Sequence, residues 1–283
     1  MKLRVLLACL LFATLSALSL GVFAGRTKNP IESSLLVTGS VDIDAAGEVK
    51  SFALDQPDKL PRGIVDLVGK FSRDWKFEPI PLGDRTVSRS RMSLLFVASK
   101  LEHGQYRVEL RNANFDEPNP ALRVSIDPAS RVLPRYPFSA MGTGVEGTVY
   151  LSLRFDRDGN VLDIASEQVN LRVLGNRNEM AQWRASLEYS AISAAKRWRM
   201  LVPAGAIPAN ETYGVGRVAV SYTFDDTPET RYGRWETYVA GPRANIPWHE
   251  HTPLANTSPE ALAPGDFYAA GNGRRLLTPL TGG

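Results

Sequence analysis

Cysteine is almost missing from this sequence: its 283 residues contain one, Cys9, inside an apolar leader. A chain processed beyond that leader forms no internal disulfide and carries neither a thiol nucleophile nor a thiolate metal ligand, so its fold must rest on packed cores. Histidine is scarce as well. His103, His249 and His251 are the only three, which leaves few candidates for a metal centre or a catalytic triad. His249-Glu250-His251 puts two imidazoles at i and i+2, able to point to one side of an extended segment, but no third ligand accompanies them and prolines flank the stretch. Asp156-x-Asp158-Gly159 begins like a calcium loop yet lacks the later acidic ligand, and a hairpin turn explains it better. No Gly-x-Ser-x-Gly elbow occurs. The residues imply no cofactor and no metal, and they do not read as an enzyme. A surplus of one charge sign is lacking too, since 33 Lys and Arg stand against 30 Asp and Glu. Nucleic-acid binding needs a concentrated basic face, and none is expected here.

What the sequence does contain begins with a leader. Lys2 and Arg4 precede the apolar run Val5 to Leu20, and Val22-Phe23-Ala24 offers small residues where a signal peptidase reads them. A signal peptide over 1–24 and a periplasmic mature protein are the expectation. The alternative is an uncleaved helix anchoring the chain in the inner membrane, because the run approaches the roughly 20 residues that span a bilayer. The hydrophobic content of 43% and charged content of 22% suit a globular chain with room for about two domains.

Two stretches follow one pattern. In the first, Val37, Gly39, Val41 and Ile43 alternate with polar residues, Asp44-Ala45-Ala46-Gly47 supplies a turn, and Val49 to Leu54 returns. In the second, Val149, Leu151, Leu153 and Phe155 alternate, Asp156-Arg157-Asp158-Gly159 turns, and Val161 to Ile164 returns. Each then carries an amphipathic helical stripe, Ile64, Leu67, Val68, Phe71 and Trp75 in one, and Leu187, Ala191, Ala194, Ala195 and Trp198 in the other. Each exit has a Trp followed by a basic residue and, a few positions on, a Pro. A later strand completes each unit: Met92 to Ala98, with a hairpin partner Gln105 to Asn112, and Val218 to Phe224. The order hairpin, helix, strand therefore occurs twice.

The second stretch has a wider likeness. Pro134-Arg135-Tyr136-Pro137, Gly144-Val145-Glu146-Gly147-Thr148-Val149, Phe155-x-x-x-Gly159-x-Val161 and Ala194-Ala195-Lys196-Arg197-Trp198-Arg199 with Pro203 resemble, in order and spacing, the C-terminal domain of the TonB energy transducers. The resemblance spans Ala129 to Phe224, and a weaker one covers Val37 to Ala98. It implies an α+β fold of two small TonB-like domains, each an antiparallel sheet packed against helix. The expected boundaries are 35–115 and 129–226, with a linker at 116–128 and a loop-rich extension at 227–283. It further implies binding of another envelope protein, in particular a TonB-dependent outer-membrane transporter, by addition of a partner strand. By position, the contacts fall on Arg135, Tyr136 and Pro137 and on the sheet edge Val218, Ala219, Val220, Ser221, Tyr222, Thr223 and Phe224. The chain lacks the long Pro-rich spacer of the transducers, which speaks against coupling to inner-membrane motor proteins. The alternative is a periplasmic scaffold or adaptor with this fold and no energy-coupling role.

Overall fold

The computed structural model describes residues 31–281 apart from 102–104, 117–118, 225–227, 251, 253, 255–257 and 272. The leader, His103 and His251 lie outside the described residues. The first unit comprises β1 (Ile31–Ile43), β2 (Val49–Leu54), α1 (Arg62–Phe71), β3 (Ser88–Lys100) and β4 (Tyr106–Phe115). The second comprises β5 (Ser125–Ile126), α2 (Phe138–Met141), β6 (Gly147–Phe155), β7 (Val161–Leu171), α3 (Arg177–Ala195), β8 (Met200–Leu201) and β9 (Gly214–Tyr222). The tail adds β10 (Glu236–Val239) and β11 (Phe267–Ala269). The class is α+β, with all the strands of the main sheet paired antiparallel. No helix among the described residues is long and apolar enough to cross a membrane.

The alternation seen in the sequence decides which face of each strand is covered. Leu35, Val37, Val41 and Ile43 of β1 join Met92, Leu94 and Phe96 of β3 beneath Ile64 and Val68 of α1 in one core. Val149, Leu151, Leu153 and Phe155 of β6 lie with Leu187, Ala191 and Ala195 of α3 in the other. Helix α3 is started by a capping box, in which the Asn176 side chain accepts from the Asn178 and Glu179 amides and Glu179 reaches back to the Asn176 amide.

The two units share one topology. In each, the first strand sits between its hairpin partner and the strand that follows the helix: β3-β1-β2 in the first, β9-β6-β7 in the second. The turns match as well. Asp44 Oδ1 accepts the Glu48 amide at 2.9 Å and Asp156 Oδ1 accepts the Asn160 amide at 2.8 Å. Gly47 (φ 87°) and Gly159 (φ 82°) each present a carbonyl to the helix exit, accepting from Phe77 N–H at 2.7 Å and Met200 N–H at 2.8 Å. A Cβ would lie 1.9 Å from Phe77 O at the first glycine and 2.0 Å from Met200 O at the second, so both the left-handed φ and the close approach require glycine.

The arrangement departs from two separate sheets. The strands form one continuous sheet in the order β11-β9-β6-β7-β10-β1-β3-β4. The join is β10, which pairs with β1 at Ile31–Ser34 and meets β7 at Leu171. Boundaries shift for the same reason. Residues 125–126, expected in a linker, form β5 and pair with β8. The tail, expected as a loop-rich extension, supplies two strands and fills the face opposite the helices. Asn112 and Asn114 of β4 donate their side-chain amides to Ser258 O and Ala261 O, both at 2.9 Å, while Leu262 packs on Tyr150 and Ala219 of the second unit. One tail segment, 258–262, thus touches β4 of the first unit and β6 and β9 of the second.

Trp198, 4% exposed, lies past the end of α3 and closes the second core. Trp198→Ala should cost about 3 to 5 kcal/mol in denaturant melts, the range for removing a large core aromatic. Gly159→Ala should cost more than about 1 kcal/mol through its backbone alone. A loss under about 1 kcal/mol in either variant would contradict the packing described.

Candidate partner-binding site

Strand β9 alternates inward and outward along its backbone. The carbonyls of Val215 and Ala219 accept from the tail, from which it follows that Val215, Arg217, Ala219 and Ser221 direct their N–H and C=O groups away from β6 and the even positions direct theirs toward it. The tail uses most of that side. β11 pairs with Gly216–Val218, Ala270 N–H donates to Val215 O at 2.7 Å, and Gly265 N–H donates to Ala219 O at 2.9 Å. The expected bare edge from Val218 to Phe224 is corrected accordingly: Val218 and Ala219 are already paired, and both are buried. Among the described residues no strand pairs with Val220–Tyr222 on the outer side. The strand stops at Tyr222, so Thr223 and Phe224 lie just beyond it.

The Tyr-Pro motif and the end of β9 are brought together. The Tyr136 ring stacks on Phe224 at 4.6 Å and meets Tyr222 edge-on at 5.5 Å, and its hydroxyl donates to Val145 O at 2.6 Å. Burial, with the Glu146 carboxylate adding to it, pushes the Tyr136 hydroxyl up to about 12, so it stays a donor through the physiological range. Tyr222 is core, its hydroxyl donating to Leu187 O at 3.1 Å. Phe224 is 41% exposed, with its amide held by Glu146 Oε1 at 2.9 Å. Arg135 is exposed while its carbonyl accepts from the Ser190 hydroxyl, and Pro137 precedes the first turn of α2. Beside this cluster opens a cleft of about 540 Å³, lined by Ser221, Thr223, Leu133, Pro134 and Arg234 and also by Leu36 of β1, Leu95 of β3 and Leu262 of the tail. Leu133 is 75% exposed at its rim.

A second polar cluster lies on the tail-covered face. Arg217 and Glu167, 2% and 1% exposed, form a bidentate pair at 2.6 and 2.7 Å. Arg217 also donates to Leu254 O at 2.9 Å, and Arg243 reaches Glu167 at 2.7 Å. Glu167 is the extra residue of a bulge, since Tyr150 pairs with Gln168 and Leu151 with Ser166. Nearby, His249 Nε2 lies 2.7 Å from Ser152 Oγ, the distance of a nucleophile and its base. Ser152 is fully buried and already accepts the Trp248 indole N–H at 2.8 Å. A hydroxyl so enclosed cannot reach a substrate, and the pair serves to fasten the tail. Sequence reasoning missed it because Ser152 sits at a position of β6 expected to face solvent. Among the described residues no group of three or more His, Cys, Asp or Glu is placed to hold a metal.

Burial, with the Arg217 charge adding to it, lowers His249 to about 4. The unfolded chain, with His near 6.5, then binds more protons than the folded one between those values. Stability contributed by neutral His249 is complete above about pH 6.5 and is lost as pH falls toward 4. Thermal melts between pH 7 and 4 should show a loss on the order of 1 to 3 kcal/mol that is absent in His249→Gln. Parallel pH profiles for the two proteins would remove His249 as the cause.

Compared with known proteins, the chain matches no family model, no curated protein and no solved structure.

Proposed function

We propose that this chain is a protein-binding module that takes up an extended partner segment by strand addition beyond Ala219, and that it acts in the periplasm on an outer-membrane transporter or another envelope protein. The observation that carries this reading is the way β9 is already used. Its outer edge accepts short pieces of the chain's own tail through backbone hydrogen bonds up to Ala219. The line of outward groups then continues at Ser221 beside the open cleft. An edge with an outward donor and acceptor next to an apolar rim supplies both parts of strand addition, backbone pairing for affinity and side-chain contacts for selectivity. The aromatic group of Tyr136 and Phe224 lies at the same end, where the resemblance to the TonB C-terminal domain places partner contact. The leader and that resemblance support an envelope location; both come from the sequence.

Proline tests the site. At Ser221 it removes an outward donor while leaving the pairing with β6, whereas at Val220 or Tyr222 it removes an inward one. Capture from envelope extract, with identification by mass spectrometry, should recover a transporter with the unmodified protein and with Ser221→Thr but not with Ser221→Pro. Thermal melts should show Ser221→Pro folded and Val220→Pro destabilised by about 3 kcal/mol or more. Equal capture by a folded Ser221→Pro protein would reject strand addition at this edge. It would favour the adaptor reading, for which the exposed Phe138 (89%) and Tyr189 (77%) offer another contact surface.

A further inference from the structure

The two helix exits hold their neighbours in the same way. Trp198 donates its indole N–H to Val132 O at 2.9 Å, and Trp75 donates its own to Leu280 O at 3.0 Å. The amide of the next residue meets a hydroxyl: Arg199 N–H donates to Ser130 Oγ at 2.8 Å, Lys76 N–H to Thr278 Oγ1 at 3.0 Å. The carbonyl of that residue is met as well. Arg199 O accepts from Asp127 N–H at 2.8 Å, and Lys76 O accepts from Leu277 N–H at 2.7 Å. One step further, Met200 pairs antiparallel with Ile126 and Phe77 with Leu276. Yet the two held segments come from different places. In the second unit the occupant lies ahead of that unit's hairpin, and in the first it arrives from the tail, some 200 residues along the chain from Trp75.

The segments share little sequence beyond what these contacts need. Ser130-Arg131-Val132 and Thr278-Pro279-Leu280 both read as a hydroxyl residue, any residue, then an aliphatic one. The middle position is exposed in each, and the outer two are half-buried in each. We propose that Trp75-Lys76-Phe77 is a peptide-binding site for extended Ser/Thr-x-aliphatic segments, and that Thr278–Leu280 of the tail is its displaceable occupant. The chemistry defines the ligand class. Lys76 N–H requires a side-chain acceptor at the first position, the indole requires a carbonyl at the third, and the solvent-facing second position tolerates Arg and Pro alike. The contacts from Leu276 onward allow displacement: apart from backbone pairing, this part is held by partly buried Leu276, Thr278 and Leu280, while Arg275, Leu277 and Pro279 face solvent, and the firmer anchor is Arg274 before it, buried with its guanidinium over the Phe77 ring. This site is distinct from the β9 edge and stands whether or not a partner binds there.

The test uses the full chain with Thr278→Val and Leu280→Asp together, and a synthetic peptide of residues 274–281 as probe. Calorimetry should show the peptide binding this variant at least about tenfold more tightly than the unmodified chain, whose site faces a tethered competitor at millimolar effective concentration. A peptide with Val for the threonine should lose about tenfold, the worth of one hydrogen bond, while one with Ala for the proline should bind nearly as before. The Trp75 indole and Lys76 amide signals in NMR should shift with the peptide and locate it. Absence of binding, equal binding of the Val peptide, or shifts confined to other residues would overturn the proposal. So would loss of the cooperative melt in the double variant, because a displaceable occupant must be dispensable for folding.

Discussion

Arg217 and Glu167 set the terms for the second half of the molecule. Two ions taken almost wholly out of water cost several kcal/mol each, and only close geometry with further hydrogen bonds offsets that cost. The bidentate contact supplies the first condition, and Arg243 with the Leu254 carbonyl supplies the second. Both of these partners belong to the tail, so the pair is stable only with the tail in place. The same face presents Ser152, Gln168 and Asn170, which likewise need enclosed partners and obtain them from His249, Trp248 and Glu260. Helices cover one face of the sheet with apolar side chains; the tail covers the other with matched polar ones alongside apolar Ala261 and Leu262. The second layer is therefore as much a part of the fold as the first.

That division explains what could be read from the sequence. The period-2 strands, the two stripes ending in Trp75 and Trp198 and the Asp-x-x-Gly turns were all legible, because a core covered by a helix leaves a regular apolar signature. The repeat emerged from the same features, and the matching Gly47 and Gly159 contacts give it a physical basis. The tail face was not legible. Ser152, Arg217 and Glu167 occupy the polar positions of alternating strands, which look the same whether they meet water or a buried partner. β10 and β11, with four and three residues, are too short to show any period. Their places depend on what they pair with, and that is a long-range property no local pattern carries. The occupied part of the β9 edge went unread for this reason, and the stacking of Tyr136 on Phe224 is a contact no local pattern announces.

Neither unit is complete without chain from outside its own hairpin, helix and strand. The helix exits at Phe77 and Met200 each have a short antiparallel partner, and the chain provides one from just ahead of the second hairpin and one from the tail. β1 is long enough to accept β2 over Gly39–Ile43 and β10 over Ile31–Ser34 on the same side. The single sheet is thus a product of completion: once the tail fills the gap beside β1, the strand it adds also reaches β7, and two small sheets become one.

Covering part of the β9 edge with the chain's own tail bears on recognition. Edge strands attract further strands, and covering them with short pieces of the same chain suppresses uncontrolled pairing. Short pieces hold weakly, since each contributes only a few backbone hydrogen bonds whose net value is about 1 kcal/mol apiece. Their tethering makes them effective: a segment on the same chain competes at millimolar concentration and excludes ligands that bind only through the backbone. Under the strand-addition reading proposed above, a partner must bring something the tail lacks. At β9 that is length, since a strand running past Gly265 gains the outward groups of Ser221 and the cleft beside them. On that reading selectivity is set by how far a partner extends beyond the chain's own coverage, and the strength of any single contact matters less.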